Sequence, residues 1–218
     1  MVILCPLEFE RRALRRVARR LGVRLECTGP GNGAARWIER AGLAHGTRVI
    51  LAGVAAGLTE VARPGTAWRA DAVVDADGAS DAWRPSLEIH GAPPGRFACV
   101  ARALLDPPSK ARVAATTGAI IADMESAPFA RAAERAGARW AVIRGVSDGA
   151  RDMLPAQVEA WTDAGGRTRL GSVAGSVLRR PALLPVLLRL GRDGSLAMAA
   201  VARALLLETS APPDRDPP

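Results

Sequence analysis

The chain has 218 residues, 49% of them hydrophobic, enough to enclose one sizeable core, and it contains no apolar run of the ~18 residues that a membrane helix needs. Thirty basic against 22 acidic residues leave a net charge of +8, yet the arginines are spread along helices with no aromatic platform beside them, which argues against a nucleic-acid-binding module. Three cysteines without paired or metal-ligand spacing, and only His45 and His90 as histidines, argue against a disulfide framework, a zinc site and histidine-based catalysis.

In chain order, Val2–Cys5 reads as a buried first strand, Leu7–Leu21 as a helix, Val23–Cys27 as a strand, Gly33–Ala41 as a helix and Arg48–Ala52 as a strand. Between Thr66 and Leu105 the pattern changes to strand-like runs at Thr66–Val74, Ser86–His90 and Arg96–Val100, separated by Gly and Pro, which predicts extra strands curling the sheet toward a barrel. Ala119–Ala122 is a short strand, Ser126–Ala136 has helical spacing, and Trp140–Val146 is an apolar strand running into Ser147-Asp148-Gly149. Helices are expected to resume only after Asp123. From Gly171 to Leu207 the pattern predicts two or three helices broken at Pro181, Pro185 and Gly191. Residues 1–208 are thus expected to form one α/β domain, cytoplasmic and with reduced thiols, and the proline-rich 209–218 a disordered tail. The Leu183–Leu190 stretch, apolar on nearly all sides and flanked by Arg179, Arg180 and Arg192, suits core, a homo-oligomer interface or an anionic membrane surface. Lys110 is the only lysine, and the near-complete preference for arginine, joined to abundant alanine, reads as much as a compositional bias as a binding adaptation.

In open α/β sheets ligands collect beyond the carboxyl ends of strands, and Met124, Glu125 and Asp148 all fall at such ends. Taken singly, Glu125 is equally a first-turn helix carboxylate and Asp148 a turn or capping residue. The run Ala122–Ala127 (ADMESA) followed by Ile143–Ala150 (IRGVSDGA) resembles the purine nucleoside phosphorylase and nucleosidase superfamily, with further likeness at Cys5–Glu10, Gly29–Ala35 and Ala52–Leu58. Val61–Gly78, Ser147–Pro155 and Leu178–Asp193 are similar to segments of the hopanoid-associated phosphorylases, which release adenine from adenosylhopane. The resemblance implies a three-layer αβα fold with a central mixed, partly curled sheet. It also implies cleavage of the N-glycosidic bond of a 5′-substituted purine ribonucleoside, by phosphorolysis of adenosylhopane or, alternatively, by hydrolysis of substrates like methylthioadenosine or S-adenosylhomocysteine.

Such cleavage builds positive charge on ribose and negative charge on the departing base, so it calls for an anion near the sugar and a proton donor at the base. By resemblance Met124 and Glu125 hold the ribose, Asp148 protonates the base at N7, and Glu8 orients an attacking water. Glu8 and Glu10 equally suit a helix first turn with Arg11, Arg12, Arg15 and Arg16 as partners. Phosphate, as a possible co-substrate, would sit on backbone N–H groups around Gly31 and Gly53, although Leu51 and Val54 stand where many phosphorylases carry an arginine and a hydroxyl residue. Trp83, Leu87 and Phe97 are candidates for the apolar side of the pocket. No metal or organic cofactor is required, and the expected partner is a small purine nucleoside, with a homo-oligomer and transient contact with a membrane surface as further expectations. Gly29–Ala34 also fits G-x-G-x-x-A, so an NAD(P)-binding oxidoreductase and a non-catalytic nucleotide-binding module stand as rivals.

Overall fold

The computed structural model describes residues 1–78 and 81–208; the tail at 209–218 lies outside the described residues. Strands β1 (Val2–Cys5), β2 (Arg24–Cys27), β3 (Arg48–Gly57), β4 (Ala67–Asp75), β5 (Pro94–Cys99), β6 (Ile121–Asp123) and β7 (Arg139–Asp148) form one mixed sheet. Strand β1 lies between β2 and β3, parallel to both. Beyond it, β3 pairs with β7 in parallel and with β6 antiparallel, β6 continues to β5 and β5 to β4, and β4 returns antiparallel to β7. The β3-β6-β5-β4-β7 strands therefore close on themselves, which is the expected curl carried to completion. A register shift between Ala55 and Ala56 marks where β3 bends, next to its pairing with β6 at Ala56 and Gly57.

Alternation along the inner strands divides the core into two faces. Val2 and Leu4 of β1, Val49 and Leu51 of β3, and Trp140 and Val142 of β7 pack with helices α2 (Gly33–Ala41) and α4 (Ser126–Arg135). Their neighbours Ile3, Cys5, Ile50, Ala52, Ala141 and Ile143 pack instead with α1 (Glu8–Leu21) and α6 (Leu183–Glu208). A period of two residues sends successive side chains to opposite faces, so one set of strands serves two helical layers. The result is the αβα arrangement anticipated from the sequence. Helices α1 and α2 each stop at a glycine in the left-handed region, Gly22 and Gly42.

Several expectations are corrected. Strand β3 runs on to Gly57 instead of stopping at Ala52, because parallel pairing with β7 continues there. Ser86–His90 is no strand: Leu87 N–H donates to Trp140 O and Trp140 N–H donates to Ser86 Oγ, and no ladder of backbone bonds follows among the described residues. A helix precedes Asp123, α3 (Pro107–Thr117), opened by Asp106, whose side chain accepts from Ser109 N–H. Helix α5 (Leu170–Arg179) ends before Pro181, as expected, but α6 runs unbroken through Pro185 and Gly191. Pro185 falls in the first turn of α6, where its missing N–H would have had no helical partner. Within α6, Leu184 and Leu188 are exposed, so the Leu183–Leu190 stretch is not core. Among the described residues no helix is long and apolar enough to cross a membrane.

Candidate active site

The ends of β1, β3, β6 and β7 open into a cavity of about 360 Å³. Glu10, Asp123, Met124, Glu125 and Asp148 line it on its polar side, and Val54, Val100, Leu104, Leu154 and Val158 on its apolar side. Glu125 and Asp148, 23 positions apart in the chain, thus face one cleft.

Their neighbour was not the glutamate expected. Glu8 does not line the cavity; its carboxylate takes 2.8 Å hydrogen bonds from Nε and Nη2 of Arg11 and a 3.0 Å bond from Arg12 Nε. The Arg11 bond, with help from Arg12, holds its pKa down at about 2. Glu10 takes the interior position, because it is in phase with Leu14, Val17 and Ala18 on the buried stripe of α1, whereas Glu8 lies two residues out of phase with it. Glu10 is 1% exposed and accepts from Leu7 N–H and Val54 N–H, each at 2.7 Å. Burial pushes its pKa up to about 8 against the opposing pull of Arg144. The sequence signal was there, in the helical phase of Glu10 relative to Leu14.

Arg144, from the middle of β7, is completely buried and organises the carboxylates. Its Nε donates to Asp123 Oδ2 at 2.7 Å and its Nη2 to Glu125 Oε2 at 2.9 Å. Asp123 Oδ1 in turn accepts from the N–H groups of Glu125 and Ser126 and from Ser126 Oγ, which fixes the turn into α4. Burial raises the pKa of Glu125 while Arg144 opposes the rise. The remaining nitrogen, Arg144 Nη1, is buried without a hydrogen-bond partner among the described residues. A Cβ added at Gly53 would lie 2.6 Å from this nitrogen and 2.5 Å from Glu10 Oε1, so the two groups meet over a residue that has to be glycine. A buried orphan donor beside a buried carboxylate is a place for a small oxygen ligand.

Gly31 and Gly53, expected to hold phosphate, have other surroundings than a loop nest predicts. Gly31 N–H donates to Glu125 Oε1 at 3.0 Å, so the glycine loop before α2 orients a carboxylate and does not offer that donor to an anion. Gly53 lies within β3, paired in register with Arg144, and not in a loop nest. Trp83, Leu87 and Phe97 do not line the cavity: Phe97 and Leu87 are core, and Trp83 carries the Arg131 guanidinium over its ring.

Asp148, the last residue of β7 and another of the residues lining the cavity, is 4% exposed. Its Oδ2 accepts from Lys110 Nζ at 2.6 Å and its Oδ1 from Ser147 Oγ at 2.9 Å. Burial raises its pKa, while Lys110 and Ser147 pull the other way. Read from sequence, Lys110 is noted as the only lysine and given no role. The one position where a chain otherwise faithful to arginine uses a compact ammonium was the available signal.

This fold is that of the nucleoside phosphorylases and nucleosidases. Residues 87–180 match a family model described as the phosphorylase superfamily. Among solved structures, a 5′-methylthioadenosine/S-adenosylhomocysteine nucleosidase from Helicobacter pylori is similar at 13% identity, with a TM-score of 0.67, across 96% of this chain and 97% of the other. A nucleosidase of the same description from Colwellia psychrerythraea, in complex with adenine, is similar at 14% identity and a TM-score of 0.62, across 95% and 94%. The futalosine hydrolase of H. pylori, in a mutant form, gives 15% identity and a TM-score of 0.59 across 73% of this chain and 91% of the other. No functionally curated protein matches the sequence.

Proposed function

We propose that the chain is an enzyme that cleaves the N-glycosidic bond of a 5′-substituted purine ribonucleoside, adenine being the expected base, with water as nucleophile. The observation that carries this reading is the convergence of three chemically different stations on one cavity: Glu10 beside Arg144 Nη1, Glu125 beside Met124, and Asp148 beside Lys110. Glu10, ionised, takes a proton from the water whose oxygen attacks C1′ as the bond from C1′ to N9 breaks. Asp148, protonated, gives its proton to N7 of the departing base. Glu125, fixed from both sides by Gly31 N–H and Arg144, receives the ribose hydroxyls, and its charge gains in value as the sugar becomes oxocarbenium-like. A base whose pKa lies near neutrality is well matched to water activation.

Electrostatics favour water over phosphate at the Glu10 corner. Glu10, Asp123 and Glu125 surround a single guanidinium, and a phosphate dianion entering there would meet carboxylates at close range. The similar solved structures named as nucleosidases and a hydrolase support the same choice. The apolar wall of Val100, Leu104, Leu154 and Val158 suits a hydrocarbon or thioether at the 5′ position, so the adenosylhopane that the sequence resemblance implies belongs among the trial substrates. The test is to incubate the chain with methylthioadenosine, S-adenosylhomocysteine and adenosylhopane, each with and without phosphate, and to follow free adenine. Release independent of phosphate is expected. Release only with phosphate would replace hydrolysis by phosphorolysis, and no release from any of them by folded protein would remove the enzymatic reading.

A further inference from the structure

Lys110 is completely buried, yet it lies on α3 and not on any of the elements that carry the cavity's carboxylates. Its Nζ donates to Asp148 Oδ2 at 2.6 Å, to Gly149 O at 2.7 Å and to Asp152 O at 3.1 Å. Three acceptors satisfy the three protons of an ammonium, so the group is held as a cation with a fixed direction. Elsewhere the chain uses arginine for every basic position, and many of those side chains are exposed. A planar guanidinium carries five donors and needs more acceptors in a wider space, whereas this slot offers one carboxylate oxygen and two carbonyls around a point. Lys110 is also missing from the residues lining the cavity, so any effect on the reaction has to pass through Asp148.

We propose that Lys110 is a positioning residue for the acid: its ammonium pins Oδ2 of Asp148, fixes the rotation of the carboxyl group, and keeps its proton affinity low enough for the proton to be released to the base. The inference rests on the reading of Asp148 as the proton donor. Burial alone would leave this carboxyl reluctant to ionise, and a strongly held proton is a poor one to donate. The lysine counters burial from one side, and Ser147 Oγ holds Oδ1 from the other. Asp152 is the other acidic group facing the pair. Although partial burial pushes its pKa up, Gly149 N–H and Arg189 of α6 hold it low, so it stays charged and raises the proton affinity of Asp148. Asp106 meets Lys110 only through backbone, its carbonyl accepting from Lys110 N–H. Lys110 is therefore the near cation that offsets both burial and Asp152.

The experiment compares the chain with Lys110→Gln, which retains a donor for the Gly149 and Asp152 carbonyls but removes the charge. In the pH profile of kcat/KM, the inflection that disappears in Asp148→Asn is expected to move upward by about one pH unit or more in Lys110→Gln, since an adjacent opposite charge lowers a carboxyl pKa by about 1–3 units. Carbon-13 NMR of the Asp148 carboxyl reads the same shift without any turnover. Reduced activity in Lys110→Gln with the inflection and the carboxyl titration unmoved would overturn the proposal and leave Lys110 as a loop anchor. A shifted carboxyl titration in a chain that releases no purine base from any substrate would retain the ion pair and discard the role of Asp148. Should Lys110→Gln fail to fold, the original chain decides: the Asp148 carboxyl carbon and the Lys110 Nζ nitrogen are expected to report a common inflection near the titration of Asp148, and an ammonium signal indifferent to it would overturn the coupling.

Discussion

Glu10 and Asp148 are both nearly sealed carboxylates in one cavity, and both have proton affinities raised by burial, but the protein compensates them by different means. Glu10 has two backbone N–H groups on its oxygens, and its nearest cation, Arg144, is shared with Asp123 and Glu125. Asp148 has a lysine of its own. On the proposed mechanism, two residues with nearly the same intrinsic chemistry serve opposite duties, one accepting a proton near neutral pH and one surrendering it. Identity of side chain says little about role here; the count and ownership of neighbouring charges says more.

The largest effect that separates the two corners is expected from Asp148→Asn, which keeps the shape and removes the transferable proton. Turnover should fall by about 10²–10⁴-fold with KM little changed, as for loss of a general acid, and an unaltered kcat would take Asp148 out of the reaction. Glu10→Gln should lower turnover by about 10²-fold or more, and in addition it should alter stability. The folded-state pKa of Glu10, about 8, lies above its value in the unfolded chain, so the native state holds the proton more tightly. Its contribution is therefore fully present below about pH 4.5 and is lost as pH rises to about 8. Denaturant unfolding of the original chain should show stability declining across that window, and Glu10→Gln should make the decline shallower; an identical slope would mean that Glu10 is not the proton-holding group. The smallest effect belongs to Glu8. Its bonds to Arg11 and Arg12 lie on the solvent side of α1, so Glu8→Gln should change kcat by less than about twofold and stability by under about 1 kcal/mol. A severe loss of activity in Glu8→Gln would restore the water-orienting role that its place in the sequence suggested.

Much of this architecture was legible in advance, unevenly. Helix α2 runs Gly33–Ala41 as read, and β1 runs Val2–Cys5, because short apolar strands and amphipathic helices announce themselves by period. Helix α3 escaped because its apolar residues form no clear stripe: its buried positions are Lys110 and Thr117. The continuity of α6 through Pro185 was missed because a proline reads as a break unless its place in the first turn is known. Met124, Glu125 and Asp148 were singled out from their positions at strand ends, and all three line the cavity. The role of Arg144 was not legible, since a charged residue in the middle of an apolar strand gives no hint that three carboxylates will converge on it.

The sequence alone determined the alternating elements, the two-faced core and the placement of acidic residues at the carboxyl ends of β6 and β7, because these follow from local periodicity and from how strands end. Tertiary structure alone decided which glutamate of α1 faces inward, which cation accompanies each carboxylate, that Gly31 donates its N–H to Glu125, and that Gly53 lets Glu10 and Arg144 approach each other. Those outcomes depend on contacts between residues far apart in the chain, 94 positions in the case of Gly31 and Glu125, and burial and charge pairing act through space, which the order of residues does not record.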